Sequence, residues 1–172
     1  MKPKVLVVGS FVMDLIVTTE RFCNAGESVI GYGFNTAPGG KGANQAVQAA
    51  RLGADVTMVG KVGKDDFGKN LINSAKESGV NTDYVYTCDH APSAVGNVQI
   101  QKNEHGTENR IIVVPGANFE MTLDDVAFLK DKISEFDIVI LQHEIPTEVN
   151  CFVAKLAKEK GVGVIVCGMP FQ

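Results

Sequence analysis

Gly39-Gly40-Lys41-Gly42-Ala43-Asn44-Gln45-Ala46 is the stretch on which the reading of this chain turns. It opens a pattern that runs to Leu52, with Ala43, Ala46, Val47 and Ala50 recurring at three- and four-residue steps, as on one face of a helix. Gly39, Gly40 and Gly42 carry no Cβ, so the backbone can approach a ligand closely. The first N–H groups of the helix behind them have no intrahelical partner and point at whatever sits there. Lys41 adds a cation, and Asn44 adds a donor and an acceptor. Such a corner suits a ligand rich in hydroxyls or phosphates. The plainer alternative is a tight strand-to-helix turn with a lysine beside it.

Two phosphate motifs are excluded. A Walker A loop requires Gly, four residues, then Gly-Lys-Ser/Thr, but Gly42 follows Lys41 and Asn35 stands where the first glycine belongs. The dinucleotide pattern G-x-G-x-x-G fails too, because Gly9-Ser10 at the end of the first apolar run is followed by Phe11-Val12-Met13.

Working outward, Val5–Val8, Asp55–Gly60, Asp137–Leu141 and Val162–Cys167 are short apolar runs, as expected of strands covered on both faces. Between them lie helical patterns over Lys41–Leu52, Asp65–Ser78, Leu123–Phe136 and Thr147–Lys160. Alternation of strands and helices predicts a mainly parallel α/β sheet flanked by helices, with right-handed crossovers. A second set of segments, Leu15–Val17, Val29–Phe34, Tyr84–Thr87, Val95–Gln101 and Arg110–Val114, alternates more loosely, with Asn103-Glu104-His105-Gly106 as a hairpin turn. These predict a small separate sheet, drawn from about residues 12–35 and 84–114.

Hydrophobic residues are 45% and charged residues 21% of the 172, the balance of an ordinary globular domain. The net charge of −4 gives no basis for binding nucleic acid or an anionic membrane. No apolar stretch is long enough to span a bilayer. Cys23, Cys88, Cys151 and Cys167 form no C-x-x-C pair, so reduced thiols and the cytoplasm are expected. His90, His105 and His143 have no ligand spacing with acids or cysteines, so no metal site is expected.

Asp14 follows an apolar run, and its carboxylate can accept from two vicinal hydroxyls of a ligand; the alternative is an ordinary turn aspartate. Glu144 lies just past a strand end, at the edge where open α/β sheets bind ligands. Its alternative is a solvated acid at a helix start. Asn118, in Gly116-Ala117-Asn118, reads as a turn residue.

Taken in order, Val7-Val8-Gly9-Ser10 with Asp14, Gly26-Glu27-Ser28, Gly39 to Ala54, Val62-Gly63-Lys64-Asp65-Asp66-Phe67-Gly68, Gly116-Ala117-Asn118 and Leu141-Gln142-His143-Glu144 resemble the ribokinase-like carbohydrate kinases. The resemblance covers essentially the whole sequence. It implies a ribokinase-like α/β fold with a β lid over the sugar, the lid pairing two subunits into a homodimer. It implies Asp14, Gly40, Lys41, Asn44 and Glu144 as sugar contacts, and a transferase moving the ATP γ-phosphate to a primary hydroxyl of ribose or a similar furanose. Mg2+ bridging the phosphates and a monovalent cation (K+) would accompany it.

Two departures bear on the sugar. The family often has Asn two residues before the sugar-binding Asp, where Val12 stands here, and Ser93-Ala94-Val95-Gly96-Asn97 replaces a usual Thr-Gly start. Asn97 is therefore expected to enter from the lid and compensate for Val12. The family's later half carries the nucleotide pocket and a Gly-Ala-Gly-Asp motif with the catalytic base. No G-x-G-D occurs here, so residues 1–172 are expected to form the sugar-binding half of the domain, with no catalytic residue. Either a second chain supplies the rest or the sequence is a truncated product. The rival reading is a non-catalytic sugar-binding or dimerisation module, or a fragment of a kinase for another sugar or a nucleoside.

Overall fold

β1 (Lys4–Val8) runs through the centre of a parallel five-stranded sheet ordered β5-β4-β1-β8-β9. The structure, a computed structural model, describes residues 2–104 and 106–168. The other four strands are β4 (Asp55–Gly63), β5 (Val80–Cys88), β8 (Ile138–Gln142) and β9 (Gly163–Cys167). The apolar run Val5–Val8 of β1 reflects cover on both faces. Leu6 and Val8 point into one core with Val139 and Leu141, while Val5 and Val7 point into another with Val56 and Met58. Each fully buried side chain of this kind stabilises the fold by about 1.5–3 kcal/mol.

Helices α1 (Lys41–Arg51) and α2 (Asp66–Glu77) cover the Val5/Val7 face through Ala43, Ala46, Leu71 and Ala75. On the other face lie α4 (Thr147–Glu159), through Val149, Val153 and Leu156, and the segment 121–136. From β1 the chain builds toward β5 on one side, then returns to build β8 and β9 on the other. Strand order therefore reverses between β1 and β8, and the crevice at their carboxyl ends is where open α/β sheets take ligands.

The second sheet is mixed and ordered β3-β2-β6-β7, from β2 (Val12–Thr19), β3 (Gly33–Gly39), β6 (Val95–Asn103) and β7 (Gly106–Val114). It is the small separate sheet expected, and its strands differ from the sequence reading in two places. Residues 84–87 belong to β5, which pairs in parallel with β4 in the main sheet. As an edge strand β5 is half covered, with Tyr84 stacked on Phe128 at 4.2 Å, so its pattern alternates like that of a lid strand. The strand expected over 29–34 instead begins at Gly33, and Ile30 lies outside it, 94% exposed. Of the expected 103–106 turn, Asn103 pairs with Gly106, and His105 lies outside the described residues, as do residues 169–172.

The segment 123–136 departs from the single expected helix. It forms a 3-10 turn (Asp124–Val126), one α turn, α3 (Leu129–Lys132), and a second 3-10 turn (Ile133–Glu135). Val126 and Leu129, three apart, are both fully buried, a spacing the three-residue turn serves as well as the α-helix does.

Candidate functional site

Beyond β1 the chain leaves the main sheet at Gly9-Ser10 and enters β2, while α1 begins beside it. Gly40 caps α1 with φ 97°, and a Cβ there would sit 2.8 Å from the Ser10 carbonyl oxygen. Only glycine meets both requirements without strain. A Cβ on Gly42 would likewise lie 2.5 Å from the Ser10 nitrogen, so helix and strand end touch backbone to backbone.

Glu144 is held from three sides. Ser10 Oγ donates to its Oε2 at 2.6 Å, the Lys41 backbone N–H donates to the same oxygen at 3.0 Å, and Lys41 Nζ lies 3.1 Å from Oε1. The Glu144 side chain is only 8% exposed. It is therefore not a solvated acid at a helix start but a buried, oriented acceptor. Buried carboxylates are tolerated where they are paired and hydrogen-bonded, as here.

The first turn of α1 corrects the expectation that its N–H groups face a ligand. Lys41 N–H serves Glu144, Gly42 N–H donates to Ser10 Oγ at 3.2 Å, and Ala43 N–H donates to the Ser10 carbonyl at 2.9 Å. Asn44 N–H already closes the helix onto Gly40. The loop binds its own acid and serine, and through them organises the corner.

Asp14 lies on β2, directly opposite Gly96 of β6. A Cβ on Gly96 would come within 2.2 Å of Asp14 Oδ1, and one on Gly39 within 2.6 Å of Oδ2. The carboxylate occupies space left by two glycines on the flanking strands. Burial, and secondarily the charge of Glu144, push its pKa above the ordinary aspartate value. Two carboxylates thus converge on one corner, where hydroxyl donors would relieve their repulsion. Asn44 is exposed on the first turn of α1.

Asn97 is not brought into this group. Strand side chains alternate between faces. Gly96 shares the face of Asp14, so Asn97, opposite Leu15, faces the other way. There its Oδ1 accepts from Gln99 Nε2 at 3.2 Å, and it lines a cavity of about 150 Å3 with Val17, Phe22 and Val29. The expected compensation for Val12 fails on the two-residue period of the strand.

Three residues of the region went unrecognised in the sequence. Ser10, fully buried, links Glu144 to α1; a polar residue directly after an apolar strand at the sheet's carboxyl edge is a signal that could have found it. Gln142, also fully buried, donates from Nε2 to Gln45 Oε1 at 2.7 Å and tethers β8 to α1. Asn118 is no ordinary turn residue: it is 1% exposed and binds the backbone of Phe11.

Fold and site together define an open parallel α/β protein with a second, mixed sheet, in which Glu144 follows β8 at the switch beside β1 and Asp14 lies on β2. The chain belongs to the pfkB family of carbohydrate kinases, whose family model matches residues 2–168. It is 47% identical to the ribokinase of Lactococcus lactis over 163 residues, covering 94% of this chain and 53% of that protein. With the ribokinase of Bacillus subtilis it shares 42% over 166 residues, covering 96% and 55%. The structure of Arabidopsis thaliana ribokinase complexed with ribose and ATP superposes with a TM-score of 0.84 at 35% identity, covering 99% of this chain and 55% of that one. The chain thus spans about half the length of the curated relatives it matches. Among the described residues, no helix is long and apolar enough to cross a membrane.

Proposed function

We propose that this chain carries the sugar-recognition site of an ATP-dependent kinase of the ribokinase type, acting on D-ribose or a similar furanose. The observation that carries the reading is the convergence of two carboxylates on the glycine-lined corner: Glu144, held by Ser10 and Lys41, and Asp14, seated against Gly39 and Gly96. A polyol answers that arrangement, because each hydroxyl donates a proton to an oriented acceptor. Ser10 and Lys41 fix Glu144, Gly39 and Gly96 make room for Asp14, and Asn44 offers a donor and an acceptor beside them. Gly40 lets the helix start approach closely enough for all of this.

ATP, with Mg2+ and K+, would supply the phosphoryl group and the charge neutralisation that its transfer needs. No residue of this chain is assigned to them or to the catalytic base. The chain's part is to bind the sugar and orient its hydroxyls. Phe34, Ile112 and Val114 leave apolar surface exposed on the lid face opposite Asp14, which supports pairing of two chains through their lids. Use of ATP and four free cysteines accord with a cytoplasmic protein.

Titration with D-ribose, followed by NMR, tests the reading. Saturable shifts at residues 14, 40–44 and 144, abolished in Asp14→Ala, are expected. A folded chain indifferent to every pentose would overturn it.

A further inference from the structure

Residues 10 and 11 carry the chain from β1 to β2, between the ladder of the main sheet and that of the second. The last tie to the main sheet is Gly9 N–H to the Val59 carbonyl at 3.0 Å; β2 begins at Val12, opposite Gly39 of β3, and Met13 N–H donates to the Ala94 carbonyl at 2.8 Å. Phe11 lies between them. Buried backbone groups need partners, and at Phe11 one side chain supplies both. Asn118 Oδ1 accepts from the Phe11 N–H at 3.0 Å, and Asn118 Nδ2 donates to the Phe11 carbonyl at 2.8 Å.

The position of Asn118 gives the contact its consequence. It sits in a 3-10 turn (Gly116–Glu120) directly after β7, where the lid returns to the main body. The same turn binds the chain leading into β6, through Ala117 N–H to the Pro92 carbonyl at 2.8 Å. Gly116, at φ 47°, passes so close that a Cβ would meet the Pro92 oxygen at 2.3 Å. Three of the lid's connections to the main body thus meet at one turn. Phe11 itself lies between Ser10, which orients Glu144, and the start of β2, which carries Asp14.

We propose that Asn118 is a positioning residue for the sugar corner, holding the Phe11 backbone so that Asp14 and Glu144 keep their relative placement. Only a primary amide presents a donor and an acceptor side by side in this way. Aspartate at 118 keeps the acceptor for the N–H and, when ionised, offers the carbonyl no donor. Alanine leaves both groups buried without partners. The consequence for sugar affinity rests on the function proposed above; the placement of the backbone does not.

The experiment uses the 172-residue chain without sugar, then with D-ribose. Amide exchange is measured residue by residue in the parent, Asn118→Ala and Asn118→Asp. Exchange about tenfold faster or more is expected at residues 11–14 in Asn118→Ala, with β4 and α4 unchanged, and a smaller local effect in Asn118→Asp. Ribose affinity is expected to fall about tenfold or more in Asn118→Ala, in step with the local loosening. Unchanged exchange at residues 11–14, or uniform acceleration over the whole chain in both variants, overturns the proposal. Local loosening in a chain whose parent ignores ribose upholds the positioning role and overturns the sugar reading alone.

Discussion

Ser10 Oγ donates to Glu144 Oε2 at 2.6 Å across a sequence separation of 134 residues, and accepts from Gly42 N–H at 3.2 Å. One buried hydroxyl therefore joins the ends of β1 and β8 and the start of α1, at the point where strand order reverses. In Ser10→Ala the Gly42 N–H loses its acceptor and Glu144 one of its donors. Buried groups left so cost about 1–3 kcal/mol. Thermal denaturation is expected to show a midpoint roughly 2–10 °C lower. Ribose affinity is expected to fall with it, because Glu144 loses its orientation; an unchanged midpoint and affinity would refute the link.

The proposed role of Asp14 as a sugar contact predicts binding that is sensitive to mild acid. Burial and then the neighbouring Glu144 charge raise its pKa above the ordinary aspartate value. The folded chain therefore takes up a proton at Asp14 at a higher pH than the unfolded chain does. This group's contribution to stability is greatest at low pH and is lost as pH rises through the raised pKa. Binding runs the other way, because a protonated carboxyl accepts fewer hydroxyl donors. Calorimetric titrations should show ribose affinity declining on acidification before ordinary surface carboxylates titrate. Asp14→Asn should bind more weakly and lose that decline; an identical pH profile in the variant would count against Asp14 as a contact.

Asp65 predicts acid lability of the lid base. Its Oδ1 caps α2 by accepting from Gly68 N–H at 2.7 Å and also accepts from Ser93 Oγ at 2.7 Å; Oδ2 accepts from Ser93 N–H at 2.8 Å. Ser93 Oγ in turn accepts from Gly63 N–H at 3.0 Å. Burial works against the charge, but these hydrogen bonds prevail and hold the pKa below the ordinary value. The stabilisation is therefore complete above the unfolded pKa and is lost as pH falls through the folded one. Loss of the helix cap alone costs about 1 kcal/mol. Asp65→Ala should lower stability at neutral pH and show a flatter decline in acid, measured by urea unfolding at several pH values.

Periodicity recovered the main sheet because its strands are apolar on both faces and its helices carry clear apolar stripes. Lys41–Arg51 and Thr147–Glu159 agree with their sequence patterns to within a residue. It failed where geometry depends on a partner. Tyr84 and Tyr86 alternate like lid residues because their strand is an edge of the main sheet. The positions of Asp14 and Glu144 near strand ends were legible through their places after apolar runs, but the contact of Ser10 with Glu144 was not, since nothing local indicates a partner 134 residues away. The α1 N–H groups were misread for the same reason: their acceptors, Ser10 and Glu144, come from beyond the ends of β1 and β8.

Adjacent residues of β6 provide the sharpest test of the proposed sugar site. Gly96 lies opposite Asp14, and a side chain there would enter the space of Oδ1. Asn97 lies opposite Leu15 and turns to the far face, beside Gln99. Gly96→Val should displace the Asp14 carboxylate and weaken ribose binding by about tenfold or more, equivalent to about 1.4 kcal/mol. Asn97→Ala should leave affinity within about twofold, since a residue outside the site removes no contact with the ligand. Both variants keep residues compatible with a strand, so circular dichroism should match the parent. A large loss in Asn97→Ala with none in Gly96→Val would mean that the opposite face of the lid covers the sugar.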